Sequence, residues 1–336
     1  NTPMSLEPQF EIPMGSQRIR AVAIELALDE SAKALCVRTA QAVGLPEAEV
    51  RGMRIARRAL DARRRGRRHV LRVVVHVDLD LDEDFRTDAL DPALKSGRAQ
   101  RVLPPARFEL DEDQRLWQPR RVVVVGSGPA GLYAAWTLAS NGIGVDLIDR
   151  GPDLRRRGRA VAGFSSTRDL DPEANLLFGE GGAGTYSDGK LYTRTQHALE
   201  APILQTLIAA GADPEIAFDS RAHIGTDRLH RILPRLRRAL ESMGVAFHFE
   251  TRLESFLRDR AGRVTAAETS QGELSCDAVL LACGHRGGDT LRKPAIDGLV
   301  VASKPSQLGA RIQHPQSLIE RCRRGVVVPA PHPRHR

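Results

Sequence analysis

An apolar run followed by a glycine-rich turn places the strongest constraint on the fold of this chain. Residues 122–125 are four valines, and they are followed directly by the turn GSGPAG at residues 126–131. An alanine-rich helical pattern comes next, and a second apolar stretch ends at Ile148, just before Asp149. Strand, glycine turn, helix, strand and acid in this order predict a βαβ unit of a parallel sheet.

Each glycine of this turn has a mechanical reason. Gly126 permits the tight turn, Gly128 lets the backbone approach a pyrophosphate, and Gly131 lets helix and strand pack closely. The N-terminus of the helix offers unpaired N–H groups and a positive dipole end to phosphates. Asp149 is expected to accept hydrogen bonds from ribose hydroxyls and to repel a 2′-phosphate, which disfavours NADP. A chance glycine-rich turn is the alternative. The residues assigned to this dinucleotide site are Gly126, Ser127, Gly128, Pro129, Ala130, Gly131, Asp149 and Arg150.

The wider spacing favours FAD over NAD. The fingerprint continues to Ala135 and Gly142, and the acid is followed by Arg150, which resembles the extended fingerprint of FAD proteins. The stretch TRL at residues 251–253 resembles the strand whose backbone meets the adenine, and it adds Leu253. The stretch LLACG at residues 280–284 resembles the strand that returns to the cofactor, although alone it fits any buried strand end. It adds Ala282 and Gly284.

Longer blocks resemble a family of uncharacterised bacterial FAD-dependent dehydrogenases. The most particular is NLLFGEGGAGTYSDGKLYTR at residues 175–194, and further similar blocks lie at residues 54–65, 223–251 and 304–316. The resemblance implies an FAD-dependent oxidoreductase without a second GxGxxG motif, with NAD(P)H as a candidate electron donor. A flexible surface loop is the alternative for the glycine-rich block. The resemblance assigns to the cofactor Gly181, Gly182, Ala183, Gly184, Thr185 and Ser187.

Two departures from that family affect the expected function. Its Gly-His-Ser-Ala block reads Gly284-His285-Arg286-Gly287 here, and the similarity fades after Gln316. The closing strand that normally contacts the ribityl chain is not visible. We therefore expect a C-terminally truncated chain with a disordered tail at residues 321–336. A dinucleotide-binding protein without turnover is the alternative function.

Candidates for proton transfer or charge stabilisation at a flavin are basic side chains in the resembling blocks. The flavin itself carries the redox chemistry, and the protein positions it and tunes its potential. The alternative for each candidate is an ordinary surface charge or a packed, hydrogen-bonded side chain. The sequence lacks the G-x-S-x-G, H-E-x-x-H and Walker motifs, so hydrolase, zinc-protease and P-loop functions are not expected. The five candidates are Lys190, His285, Lys304, Arg311 and His314.

The periodicity predicts two folded parts. Alternating apolar residues at 22–28 and 73–81, with a helix and a further strand between them, indicate a small βαββ domain of ferredoxin-like type at residues 17–85. We expect a disordered lead at residues 1–16 and a linker at residues 86–119. Residues 120–320 are expected to form an α/β, Rossmann-like FAD-binding domain with an inserted antiparallel layer. Its predicted elements are a helix at 226–243 and strands at 245–249, 255–257, 264–269 and 278–282.

Composition limits the partners. The net charge is +8, almost all of it from arginine, which fits either a compositional bias or a nucleic-acid partner at the Arg63–Arg68 turn. Aromatic residues make up only 4%, which disfavours single-strand binding by base stacking. None of the four cysteines forms a C-x-x-C pair, which disfavours a zinc ribbon or a redox disulfide. Without a membrane-length apolar run, we expect a cytoplasmic protein with a small-molecule substrate of unknown identity.

Overall fold

The computed structural model describes most of the chain, which is built on two four-stranded sheets with two smaller sheets beside them. The described residues are 11–26, 32–61, 64–65, 68–69, 72–108, 119–191, 197–285, 287–290, 292, 300, 302, 305, 309–310 and 312–324. One sheet is antiparallel and N-terminal, and a second is parallel and C-terminal. The expectation of a mixed α/β protein is therefore confirmed. Two catalytic candidates, Lys304 and Arg311, lie outside the described residues, as do residues 325–336 of the predicted tail.

The N-terminal sheet has four strands in the order β2-β5-β1-β6, and neighbouring strands are antiparallel. Helix α1 follows β1, and a short two-stranded turn, β3 with β4, lies between β2 and β5. The bounds are β1 (Ser16–Leu26), α1 (Ala32–Val43), β2 (Gly52–Asp61), β3 (Arg64–Arg65), β4 (Arg68–His69), β5 (Arg72–Asp82), α2 (Asp91–Lys95) and β6 (Ala99–Arg101).

Strand β5 shows why this sheet forms. Its residues Val77, Leu79 and Leu81 are fully buried in a core that also contains Leu35 and Ala40 of α1. The alternate residues are aspartates, which therefore lie on the other face of the sheet, and each pairs with an arginine in, or directly before, a neighbouring strand. Several of the arginines that make the composition basic are thus neutralised within the fold. The pairs are Arg20 and Arg54 with Asp78, both at 2.7 Å, Arg18 with Asp80 at 2.5 Å, and Arg51 with Asp82 at 2.5 Å.

The segment predicted as a linker contributes to this sheet. Leu90, Ala93 and Ala99 are buried in the N-terminal core, and β6 pairs with β1 through residues 99–101. A three-residue strand is too short to show alternation, so no sequence pattern could reveal it. Ordered sheet structure therefore continues past residue 85 to residue 101.

The C-terminal part is built on a parallel sheet of order β13-β7-β8-β9. An antiparallel sheet, β10-β11-β12, is inserted between β9 and β13. Pro234 lies inside α6, and the helix continues past it. The bounds are β7 (Arg121–Val125), α3 (Pro129–Ser140), β8 (Gly144–Ile148), α4 (Leu154–Thr167), α5 (Glu200–Ala209), α6 (Thr226–Ser242), β9 (Ala246–His248), β10 (Leu253–Arg258), β11 (Val264–Thr269), β12 (Gly272–Ser275), β13 (Ala278–Leu281) and α7 (Gln316–Arg324).

The predicted helix and the four predicted strands of this part are all present, within a few residues of their expected ends. Strand β12 was not predicted because GELS offers no apolar alternation. Strands β7 and β8 are buried on both faces, as expected for the centre of a parallel sheet. The carboxyl ends of β7, β8 and β13 meet at one edge, which is where ligands bind in open α/β sheets.

Residue Arg58 joins the two parts. Its N–H donates to the carbonyl of Phe218 at 2.6 Å, and its carbonyl accepts from the N–H of Ser220 at 2.9 Å. Its guanidinium pairs with Glu215 at 3.1 Å. The outer edge of β2 is thus hydrogen-bonded to residues 218–220 of the C-terminal part. Within the portion of the chain that is described, no helix is both long enough and apolar enough to cross a membrane.

Candidate functional site

The first glycine loop connects β7 to α3 and permits no side chain at two of its glycines. Gly126 has φ +107°, and a Cβ there would lie 2.6 Å from the carbonyl oxygen of Ala282. A Cβ on Gly131 would lie 1.7 Å from the carbonyl oxygen of Gly126. Ala282 also donates its N–H to Val125 at 2.8 Å. The segment at residues 280–284, which was predicted to return to the cofactor, therefore packs directly against this loop.

The second glycine loop, residues 175–187, contacts the first one through backbone atoms of both loops. The N–H of Gly181 donates to the carbonyl of Ser127 at 3.0 Å. Gly182 has φ +63°, and a Cβ there would lie 2.9 Å from the Cα of Gly128. The two loops were predicted separately, one from its fingerprint and one from a family resemblance, and the structure brings them together.

The N-terminus of α3 is open beside this contact. Gly128 is the N-cap residue, no side chain caps the helix, and Pro129 occupies its first turn. Pro129 and Ala130 are exposed. The first N–H groups of a helix have no partner within it, and they favour anions. Small residues and helix N–H groups at one sheet edge fit the pyrophosphate of a dinucleotide.

Asp149 has a structural role that the sequence did not predict. Its Oδ2 accepts from the N–H of Ser127 at 2.9 Å and from the Ser127 hydroxyl at 2.6 Å. Its Oδ1 accepts from the N–H of Gly151 at 2.8 Å and of Gly179 at 3.0 Å. A carboxylate has about four lone-pair positions. Asp149 therefore ties the two loops together through protein donors, and its role as a ribose ligand stays a prediction.

Arg150 lies in a charge network at the same edge. It pairs with both oxygens of Glu173 and with Asp289 at 2.6 Å, and its guanidinium lies 4.4 Å from the ring centroid of Phe178. Glu173 also accepts from Arg252 at 2.8 Å. The hydrogen bond from Arg150 lowers the pKa of Glu173, which keeps this carboxylate ionised. Direct contact between Arg150 and a cofactor stays a prediction.

The other predicted cofactor residues divide into buried and exposed positions. Thr185 is buried and donates to the carbonyl of Glu180 at 3.0 Å. Leu253 points into the core beside Val123 and Val125, so only its backbone is available to a ligand. The exposed positions are Ala183, Gly184, Ser187 and Gly284.

Two residues missed by sequence reasoning organise the second loop. Arg157 of α4 is fully buried, and its side chain donates to the loop's backbone. Glu180 is 1% exposed, accepts from the N–H of Leu154 at 2.7 Å, and lies 3.2 Å from Arg237. Burial raises the pKa of Glu180. An acid directly between glycines, as in Gly179-Glu180-Gly181, was a usable signal for Glu180, whereas Arg157 is one of several arginines in the stretch LRRRGR.

The described catalytic candidates lie on separate segments. Lys190 pairs with the carboxylate of Asp188, and its backbone bridges to His223. His285 is exposed just beyond β13, on the side of the sheet where the glycine loops lie, and His314 is exposed before α7. Their roles stay predictions.

All four cysteines are free, and burial raises the pKa of the Cys283 thiol to about 11, so this thiol is neutral at ordinary pH.

Comparison with known proteins places the chain in a family. The model of the FAD binding domain family matches residues 120–288, which is half of the chain, and the chain belongs to this family. The expected FAD cofactor and the expected resemblance to FAD-dependent oxidoreductases are thereby confirmed. The matched residues include both glycine loops and the returning strand.

Two curated relatives extend the comparison. An uncharacterized protein of Clostridium beijerinckii is 31% identical over 314 residues, which cover 90% of this chain and 55% of that protein. A glycine oxidase of Pseudomonas aeruginosa is 29% identical over 230 residues, which cover 55% of this chain and 60% of that enzyme. The chain thus spans little more than half the length of these relatives.

Among solved structures, one similar chain is a ferredoxin reductase from Rhodopseudomonas palustris. It is 19% identical, and the match covers 56% of this chain and 29% of that one, with a TM-score of 0.26. A likeness at this score does not bear on the fold or the function of the chain.

Proposed function

We propose that this chain is the FAD-binding part of an oxidoreductase that passes electrons between a small-molecule substrate and the flavin. The observation that carries the proposal is the backbone contact of two glycine loops at the carboxyl edge of the parallel sheet, where Gly182 lies against Gly128. FAD, when bound, supplies a flavin ring that takes up and releases electrons. The residues of the chain bind and orient it.

The parts of the site have distinct roles in this proposal. The open N-terminus of α3 binds the pyrophosphate through its N–H groups. Gly128 and Gly182 allow the backbone of each loop to approach the cofactor. Asp149 keeps the two loops in register through its four hydrogen bonds. The exposed positions Ala183, Gly184 and Ser187 would be available to the flavin side of the cofactor.

The electron donor and the substrate are proposed as classes. NADH and NADPH are candidate donors by resemblance to FAD-dependent dehydrogenases. One relative is named glycine oxidase, which supports glycine as an alternative reductant. For the N-terminal part we propose a ferredoxin-like domain, supported by its antiparallel strand order β2-β5-β1-β6 with a helix after β1 and after β5. The neutralised arginines of that sheet favour a small molecule over a nucleic acid as partner.

Anaerobic reduction tests the proposed activity. The chain is loaded with FAD, and the visible flavin absorbance is followed after adding NADH, NADPH or glycine, with dithionite as the positive control. We expect at least one biological reductant to bleach the bound flavin. If FAD binds and dithionite reduces it but none of the three reductants does, the oxidoreductase proposal fails. The result then favours a dinucleotide-binding protein without turnover.

A further inference from the structure

Arg157 is a fully buried arginine whose hydrogen bonds converge on one short segment. It lies in the first turns of α4, and its side chain is 0% exposed. Its acceptors all belong to residues 175–185, so a single guanidinium spans the second glycine loop from beginning to end. Nε donates to the carbonyl oxygen of Asn175 at 2.9 Å. Nη1 lies within hydrogen-bond distance of the carbonyl oxygens of Gly179 at 3.2 Å, Glu180 at 2.7 Å and Gly182 at 2.9 Å and of the Thr185 hydroxyl at 3.1 Å, and these acceptors share its two N–H groups. Nη2 is buried and has no hydrogen-bond partner among the described residues.

The loop conformation explains why an arginine is needed there. Gly179, Gly181 and Gly182 all have positive φ, at +103°, +82° and +63°. This backbone directs several carbonyl groups inward, where each needs a donor. Arginine holds Nε and Nη1 at a fixed separation in one rigid plane, so it reaches Asn175 and the later carbonyl groups at the same time, whereas lysine presents its donors from one point. Burial lowers the pKa of Arg157, so the fold bears a cost for holding this charge in its interior.

A side chain of the loop also contacts the backbone at the start of α4. Glu180 accepts from the N–H of Leu154 at 2.7 Å, and its own N–H donates to the carbonyl of Pro152 at 3.1 Å. Asp153 caps the same helix by accepting from the N–H of Arg155 at 2.9 Å. The start of α4 and the second loop therefore form one hydrogen-bonded unit, and the loop cannot shift without breaking contacts at both places.

We infer that Arg157 is a positioning residue for FAD. It lies beneath the loop and holds its carbonyl side, which leaves Gly182 against Gly128 and keeps Ala183 and Gly184 exposed. Its effect on the cofactor is transmitted through the shape of the backbone, because its own side chain is inaccessible. The inference rests on the proposed FAD site and names a residue that sets the affinity of that site.

Two variants and a matched control test this role. Arg157→Met keeps the apolar stem and removes all donors, and Arg157→Lys keeps the charge without the fork. The control is Arg156→Met, which removes the neighbouring exposed arginine that pairs with Glu250. The first readout is hydrogen exchange of the cofactor-free chain, compared between residues 179–187 and residues 122–148. The second is the FAD dissociation constant from quenching of flavin fluorescence.

We expect Arg157→Met to lose exchange protection at residues 179–187 while residues 122–148 stay protected. Hydrogen bonds to charged groups contribute enough that FAD affinity should fall roughly tenfold to a hundredfold. Arg157→Lys should lie between this variant and the wild type, and Arg156→Met should match the wild type. If Arg157→Met does not fold, Arg157→Lys carries the test through the same two readouts.

Two results would overturn the inference. One is a folded Arg157 variant whose loop protection and FAD affinity equal those of the wild type. The other is a loss of protection spread evenly over both segments, which would indicate a general structural role. A wild-type chain that binds no FAD would instead refute the proposed function, and the exchange comparison would still decide whether Arg157 holds the loop.

Discussion

Replacing Gly182 by alanine is the sharpest single test of how the two glycine loops fit together. Gly182 combines a left-handed φ of +63° with a distance of only 2.9 Å between the position a Cβ would occupy and the Cα of Gly128. The neighbouring atom is backbone, so no side-chain rotation can relieve the contact. Alanine at this position must either strain its own backbone or push the first loop away.

The magnitude follows from these two costs. A left-handed conformation costs a residue other than glycine roughly 1–2 kcal/mol. Overpacking against a backbone adds roughly 1–3 kcal/mol. We expect Gly182→Ala to lower the free energy of unfolding of the cofactor-free chain by roughly 2–5 kcal/mol. If the loops separate instead, bringing them together to bind FAD costs the same free energy, which corresponds to a roughly 30- to 4,000-fold weaker affinity.

Gly184→Ala is the matched control in the same short helical segment, Gly182–Tyr186. Gly184 has no left-handed φ and no atom within 4 Å of a Cβ position. Alanine at such a position is expected to stabilise a chain by about 0.4–1 kcal/mol, because it restricts the unfolded state. Urea unfolding of both cofactor-free variants gives the comparison, and FAD titration compares Gly182→Ala with the wild type. Equal unfolding free energies for the two variants would refute the close packing of Gly182 on Gly128.

Three further predictions follow from the same structure. Gly131→Ala places a Cβ 1.7 Å from the carbonyl of Gly126, so we expect no FAD to be retained through gel filtration, and a yellow, folded variant would contradict this. At about pH 8 the Cys283 thiol, with its pKa raised to about 11, should be alkylated far more slowly than exposed Cys322, and equal labelling by mass spectrometry would contradict it. Burial alone would raise the pKa of Asp78, but its hydrogen bonds with arginine lower it below the ordinary 3.8. Its stabilising effect is therefore present above that pH and lost as pH falls through the folded pKa, and Asp78→Asn should make the urea midpoint less sensitive to acid, whereas an unchanged pH profile would count against the pairing.

The first glycine loop was predictable because its information is local. Gly126, Gly128 and Gly131 stand at fixed spacing between a strand and a helix, and the physical reason for each glycine applies wherever that unit forms. The same holds for β8 and α6, because the pattern of apolar residues that predicts each of them lies within one continuous stretch of sequence. The alternation of aspartate and leucine in β5 was also visible, although its arginine partners were not.

The parts that could not be predicted depend on contacts between distant segments. Asp149 resembles a ribose ligand from its place after β8, yet one of its donors is Gly179, which lies 30 residues further along the chain. Arg157 looks like any other arginine of its helix until the loop carbonyls fold around it. Strand β6 has three residues, and it becomes a strand only because β1 presents an open edge. Such roles are set by the tertiary fold and leave no spacing in the sequence.

The most direct test of the central claim is a titration of the cofactor-free chain with FAD, followed by its visible absorption spectrum and by fluorescence quenching. We predict saturable binding of one FAD per chain with a perturbed flavin spectrum, and loss of that binding in Gly131→Ala. A folded wild-type chain that leaves the spectrum of free FAD unchanged after reconstitution would contradict the claim that its two glycine loops form an FAD site.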